Sequence, residues 1–228
     1  MKLILSLAFS FLLFVQCRKK EQPVPVPVSP FESTPVTAPV TPGNIDEVSG
    51  IADSKLNPGF LWAQQDGGNP AELFLISYNG NVQKKMFIKS AQNRDWEDMA
   101  LGNGPVTGVN YIYLAETGDN NASYSNYSIY RFEEPSITTD TVLVFDKINF
   151  QYPDGAHDAE AILLDGITKD IYIITKRDAK SKIYKLSYPQ STSSVSAAVE
   201  AGELSINGIT AAALSPDGTE ILLKTYTA

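Results

Sequence analysis

The chain has 228 residues, of which 43% are hydrophobic and 10% aromatic, so it can bury the core of one folded domain. Its formal net charge is -8 at pH 7. Because neutralising nucleic-acid phosphates requires clustered Lys and Arg, this composition argues against DNA or RNA as a partner.

The N-terminus has the pattern of an export signal. Lys2 precedes an apolar run over residues 3–15, which is shorter than the roughly 20 residues that span a bilayer. The single cysteine, Cys17, follows directly and resembles the lipidated first residue of a bacterial lipoprotein. We therefore predict a cleaved signal over residues 1–16, lipidation of Cys17 and a place in the cell envelope as an outer-membrane lipoprotein. Since Gln16 departs from the strict lipobox, an ordinary secretory signal is the alternative.

Residues 17–43 are predicted to be an extended tether. The stretch from Gln22 to Gly43 alternates proline with Val, Thr and Ser, and such a sequence forms polyproline II rather than a packed core. We interpret it as a spacer between the membrane anchor and the folded domain. A proline-rich ligand for a recognition domain is the competing interpretation.

Residues 44–228 are predicted to form one all-β domain, because short β-rich runs alternate with Gly, Asn, Asp and Pro while helical periodicity is absent. Small apolar runs recur at 48–54, 97–102, 160–165 and 209–215. More hydrophobic runs follow them at 60–66, 111–119, 170–178 and 220–227. Aromatic third runs lie at 72–80, 127–135 and 182–189, and candidate fourth runs at 86–90 and 142–152.

This repeated order predicts a β-propeller of four-stranded blades, whose usual period is about 50 residues. A β-sandwich also produces alternating strands, but it does not repeat them in this order. The region supplies about three and a half blades at this period, so we expect an incomplete, C-terminally truncated propeller. A closed ring of four blades is the alternative.

Several motifs carry a resemblance to known proteins: 47–50 (EVSG), 95–100 (DWEDMA), 118–120 (GDN), 152–161 (YPDGAHDAEA) and 172–177 (YIITKR). In these motifs the chain resembles a family of largely uncharacterised exported bacterial β-propeller proteins. More distantly it is similar to NHL-type, lactonase-like and phytase-like propellers. The resemblance covers nearly all of residues 45–228, and it is specific for the fold rather than for one activity.

Acidic residues from successive blades fall at one rim when the repeats are placed in register. We expect these carboxylates to converge: Glu47, Asp66, Glu97, Asp98, Glu116, Asp119, Asp158 and Glu160. Close carboxylates repel one another unless a cation is present, and Ca²⁺ prefers oxygen ligands. One His and one Cys give poor support for a zinc site. Two other roles stay open, namely hydrogen bonding to backbone amides between blades and direct catalysis.

His157, the only histidine, and Lys176 are the candidate catalytic residues. His157 suits general acid or base chemistry with Asp158 orienting its ring, although capping of a turn explains it as well. Lys176 and Arg177 would bind an anion beside the carboxylates. Alternatively, Lys176 would neutralise an acidic residue of the adjoining blade, Glu116 or Asp119.

Two functions are consistent with these features. The first is a lipid-anchored envelope propeller that acts as a binding or scaffold module for a small molecule, glycan or protein, with Ca²⁺ as the candidate ion. The alternative is a metal-dependent hydrolase of phosphoesters or lactones.

Overall fold

The structure is a computed structural model that describes residues 34, 36–40 and 45–226. The predicted signal, Cys17 and most of the tether lie outside the described residues. Residues 36–40 are exposed and have no regular secondary structure. Within the described part of the chain, no helix is long and apolar enough to cross a membrane.

Sixteen strands are described, and they fall into four consecutive groups. The first group is β1 (Val48–Asp53), β2 (Phe60–Gln65), β3 (Glu72–Ser77) and β4 (Val82–Ile88). The second is β5 (Trp96–Asn103), β6 (Asn110–Glu116), β7 (Tyr127–Glu133), β8 (Thr141–Val142) and β9 (Asp146–Gln151). The third is β10 (Ala159–Leu164), β11 (Ile171–Thr175), β12 (Lys182–Leu186), β13 (Ser196–Ala197) and β14 (Val199–Glu203). The fourth is β15 (Ile209–Leu214) and β16 (Ile221–Thr225).

Successive groups form the blades of a propeller. The antiparallel orders β1-β2-β3-β4, β5-β6-β7-β9 and β10-β11-β12-β14 make three four-stranded sheets, and β15-β16 makes the first half of a fourth. The inner strands β1, β5, β10 and β15 lie side by side in that order. The all-β propeller of three and a half blades is therefore confirmed. Over the described residues the sheets do not close, so the four-bladed ring is not observed.

Two short strands that sequence reasoning missed join neighbouring blades at their outer edges. β8 leaves the second blade and pairs in parallel with β4, with Lys89 N donating to Val142 O at 2.9 Å. β13 leaves the third blade and pairs in parallel with β9, with Ala198 N donating to Gln151 O at 2.9 Å. Since an uncovered edge strand exposes unpaired backbone groups, each of these short strands covers the edge of the preceding blade.

The start of every inner strand carries a β-bulge. Pairing with the second strand shifts between Val48 and Gly50, Ala159 and Ala161, and Ile209 and Ala211, and it shifts over 96–99 in the second blade. A bulge inserts an extra residue and turns its side chain away from the regular alternation. The residues placed in these bulges are Ser49, Glu97, Asp98, Glu160 and Thr210.

The hydrophobic core lies between the blades. One cluster joins the first and second blades and includes Trp62, Trp96 and Leu114, all fully buried. A second cluster joins the second and third blades through Phe150 and Tyr184. Trp96 therefore packs between blades.

A buried carboxylate of the second blade also connects that blade to the first one. Glu134, which is 7% exposed, accepts hydrogen bonds from Ser54 Oγ at 2.6 Å and from the backbone of Lys55 at 2.9 Å and Leu56 at 3.0 Å. It also accepts one from Trp62 Nε1 at 3.0 Å. The first hairpin of one blade is thereby fastened to the next blade.

We expect Glu134→Ala to lower the free energy of unfolding by about 2 to 4 kcal/mol, because four donors lose a charged acceptor and two of them, Ser54 Oγ and Trp62 Nε1, are buried. Chemical denaturation measures the change. The neighbouring, exposed Glu133→Ala is the control and should change stability by under about 0.5 kcal/mol. Equal effects of the two substitutions would contradict this role for Glu134.

Candidate functional site

The predicted site residues lie at one rim of the blades. Each inner strand pairs antiparallel with its second strand, so the start of the former lies beside the end of the latter. Residues that precede β5 and β10 therefore meet residues that follow β2, β6 and β11. This geometry brings together parts of the chain that are far apart in sequence.

Two groups of three carboxylates converge at this rim within the described residues. Asp66, Asp95 and Glu97 form the first triad, and Glu97, Asp158 and Glu160 form the second. In each triad one oxygen per residue lies within 4.8 Å of the others. Four of the five residues were predicted from the sequence. Asp95 was missed as a ligand, although it opens the DWED motif.

Two glycines leave the space that the first triad occupies. A Cβ on Gly118 would lie 2.5 Å from Asp95 Cγ and closer still to Glu97 Oε1. A Cβ on Gly67 would lie 2.9 Å from Asp95 Cα and closer to its Oδ1. Because side chains at either position would displace these carboxylates, the loops after β2 and β6 form a cradle around them.

Glu97 belongs to both triads and is 4% exposed. Burial, followed by the nearby charges of Asp66, Asp95 and Asp158, raises its pKa from 4.5 to about 9. Its one hydrogen bond among the described residues comes from Ser49 Oγ at 3.3 Å. The protein thus holds a buried carboxylate with few donors to stabilise its charge.

Burial and neighbouring negative charges also act on the pKa of Asp95. Burial and the charges of Asp66 and Asp158 raise its pKa, and Arg94 opposes that effect. Asp66 and Asp95 are only partly buried, whereas Glu97 is buried. The first triad therefore has a closed inner side and a side that solvent can reach.

Two cations neutralise part of the second triad. Lys176 Nζ contacts Glu160 and donates to Tyr226 OH at 2.7 Å. Arg177 Nε donates to Asp158 Oδ2 at 2.6 Å. Lys176 thus pairs with an acid of its own blade, and the predicted pairing with Glu116 or Asp119 is wrong.

Four predicted ligands lie outside both triads: Glu47, Asp98, Glu116 and Asp119. Glu47 is exposed. Asp98 accepts hydrogen bonds from Met99 N at 2.9 Å and Ile162 N at 3.0 Å, so it joins adjacent inner strands. Burial outweighs these bonds and raises the pKa of Asp98 to about 7.

Glu116 and Asp119 have partners of their own. Glu116 pairs with Arg94 at 3.7 Å. Asp119 accepts from Ser123 N and Tyr124 N, each at 2.8 Å, and fixes the loop after β6. Burial opposes ionisation of Asp119, but these hydrogen bonds outweigh it and lower its pKa.

His157 lies beside the triads and belongs to neither. Its Nδ1 is 3.0 Å from Asp178 Oδ2, and its Nε2 is 3.0 Å from both Asp154 Oδ1 and the Tyr184 hydroxyl. Burial opposes ionisation of Asp154, but hydrogen bonds from Lys182 and Tyr184 outweigh it and lower its pKa. His157 thereby connects the loop before β10 to the loop after β11.

No protein-family model matches the sequence, and no curated protein matches it significantly. Among solved structures, the chain is similar to one described as the structure of the Dos1 propeller, with a TM-score of 0.44 and 10% sequence identity. The similarity covers 79% of this chain and 43% of that one, so the chain spans less than half of its length. The strand order of the blades supports the propeller part of the predicted resemblance, whereas NHL-type, lactonase-like and phytase-like relationships receive no support.

We expect the metal-free protein to lose stability as the pH rises from about 4.5 to about 9. Glu97 has a pKa of 4.5 when unfolded and about 9 when folded, so the native state binds the extra proton between these values. The contribution of Glu97 to the free energy of unfolding is complete below the lower value and falls by at most about 1.4 kcal/mol per pH unit above it.

Denaturant unfolding at several pH values in this range measures how steeply the free energy of unfolding falls with pH. Glu97→Gln should make this dependence on pH weaker. Asp98 contributes in the same direction up to about pH 7. The exposed Glu200→Gln is the control and should leave the slope unchanged. A rise in stability over this range in chelator would contradict the assignment.

Proposed function

We propose that this protein is a lipid-anchored envelope propeller that acts as a binding module and holds Ca²⁺ at Asp66, Asp95 and Glu97. The observation that carries the proposal is the first triad within its glycine cradle. Three carboxylates share a space that Gly67 and Gly118 keep free, and no cation of the described residues forms an ion pair with any of them.

The chemistry of the triad supports calcium over other common ions. Its donors are all oxygen atoms, which Ca²⁺ prefers, and Ca²⁺ tolerates irregular geometry and additional water ligands. Tetrahedral zinc sites are built mainly from Cys and His, which the triad lacks. A divalent ion would also displace the proton that the raised pKa of Glu97 implies, since metal binding to a protonated ligand releases a proton.

The N-terminal features support a place for this module at a membrane. Lipidation of Cys17 would attach the chain to the bilayer, and the proline-rich stretch would hold the propeller away from it.

Hydrolysis of phosphoesters or lactones is the second candidate, because Lys176 and Arg177 place positive charge beside Glu160 and Asp158 of the second triad. His157 supports it less well. Its two ring nitrogens already face Asp154 and Asp178, so neither is free to take a proton from a substrate in this arrangement. Turnover of p-nitrophenyl phosphate or a simple lactone in Ca²⁺ would establish catalysis.

We expect Ca²⁺ at a hundredfold excess over its Kd to raise the melting temperature by about 5 °C or more, relative to chelator. Differential scanning calorimetry on the full chain measures the shift. Asp95→Asn combined with Glu97→Gln should abolish it, because the ion loses two charged ligands.

The matched control is Asp140→Asn combined with Glu200→Gln, which removes the same two charges from exposed positions. It should keep the full calcium shift. No calcium shift in the unaltered chain would overturn the proposed function.

A second substitution tests the cradle without removing any ligand. Gly118→Ala should weaken Ca²⁺ binding by tenfold or more, an order-of-magnitude expectation that follows from displaced ligands. The control is Gly166→Ala, where an added Cβ meets nothing within 4 Å. Isothermal titration calorimetry gives the two affinities, and equal values for both variants would contradict a cradle role.

A further inference from the structure

A pocket of about 300 Å³ opens beside the second triad, and cationic side chains line it. Lys176 and Arg177 contribute the charge, and Asn207, Gly208 and Tyr226 complete the wall. Arg177 is half exposed, with 51% of its side chain accessible. Arg177 therefore presents positive charge and hydrogen-bond donors to solvent, whereas the Lys176 side chain is only 5% exposed.

Both cations keep donor capacity after their contacts with the triad. Lys176 carries three N–H donors, and its described partners, Glu160 and Tyr226, account for two of them. Arg177 uses Nε for Asp158 and Nη2 for Asn120, which leaves Nη1 without a described partner. A guanidinium and an ammonium that line the same pocket favour an oxyanion as its ligand.

The same contacts oppose anion binding while the carboxylates lack a divalent cation. Asp158 and Glu160 already neutralise Arg177 and Lys176, and the first triad adds further negative charge nearby. A divalent ion at Asp66, Asp95 and Glu97 would reduce that excess. An anion at the pocket and a cation at the triad should therefore strengthen each other's binding, since coupling between two sites is reciprocal.

We propose that the Lys176–Arg177 pocket binds the oxyanion of a carboxylate-bearing or phosphate-bearing ligand, and that it binds this oxyanion more tightly when the neighbouring triad holds a divalent cation. This inference rests on the proposed function, because it needs the ion in the first triad. It assigns the ligand of the module to anionic molecules that reach both the ion and the two basic side chains.

The test is a calorimetric titration of the full chain with methyl phosphate and, separately, with acetate, each in Ca²⁺ and in chelator. We expect at least one of the anions to bind about tenfold or more tightly in Ca²⁺ than in chelator. Binding of methyl phosphate alone identifies a phosphate ligand, binding of acetate alone identifies a carboxylate ligand, and binding of both identifies the shared oxyanion chemistry.

Arg177→Gln should remove the anion signal while Ca²⁺ still binds, because Arg177 lies outside the first triad. Lys180→Gln is the control, since Lys180 is exposed and pairs with Glu203. Lys176→Met, folded as judged by its melting curve, should weaken anion binding as Arg177→Gln does.

The outcomes separate the two proposals. Calcium binding without any anion signal would overturn this inference and leave the calcium site intact. Absence of calcium binding would overturn the proposed function itself. Equal anion affinity in Ca²⁺ and in chelator, or an unchanged signal in Arg177→Gln, would overturn the coupling between the pocket and the triad.

Discussion

The extra residue at the start of each inner strand is the constraint on which the rim depends. Regular antiparallel pairing sends alternate side chains to opposite faces of a blade. The bulges interrupt that alternation where Ser49, Glu97 and Glu160 stand, and they free these side chains from their own sheets. Residues of successive blades then reach one another, as the contact from Ser49 to Glu97 demonstrates. The backbone register at the bulges therefore places the acidic side chains together at the rim.

The convergence of these carboxylates is electrostatically unfavourable. Burying several carboxylates together opposes their ionisation, and the two triads differ in how their negative charge is reduced. In the second triad Lys176 and Arg177 supply opposite charge. In the first triad Glu97 keeps its proton, as its raised pKa implies. A structural role alone explains Asp98 and Asp119, whose oxygens accept backbone N–H groups, but the carboxylates of the first triad have only two described donors, Ser49 Oγ and Gly67 N.

Much of the fold could be predicted from the sequence because apolar patterning repeats from blade to blade. The inner and second strands were found by their hydrophobic runs, whereas β14 was missed because its sequence, VEAGE, is polar and almost wholly exposed. The carboxylate candidates were found by register, and four of them lie outside both triads. Hydrogen-bond partners decide that outcome: Asp98 meets amides of the next blade, which no linear spacing reveals. Asp95 was missed although it stands two residues before Glu97, a spacing that places side chains on the same face of a strand.

The short parallel strands β8 and β13 bear on the order in which the protein can fold. The edge of the first blade is covered by residues from the second, and the edge of the second by residues from the third. During synthesis the outer edge of the first blade therefore stays unpaired until β7 has been made and β8 can pair with β4. The edge of the second blade likewise stays unpaired until β13 has been made. Such an edge attracts other chains while it is bare. Folding from the N-terminus thus leaves the outer edge of each of the first two blades uncovered until three strands of the following blade have been made.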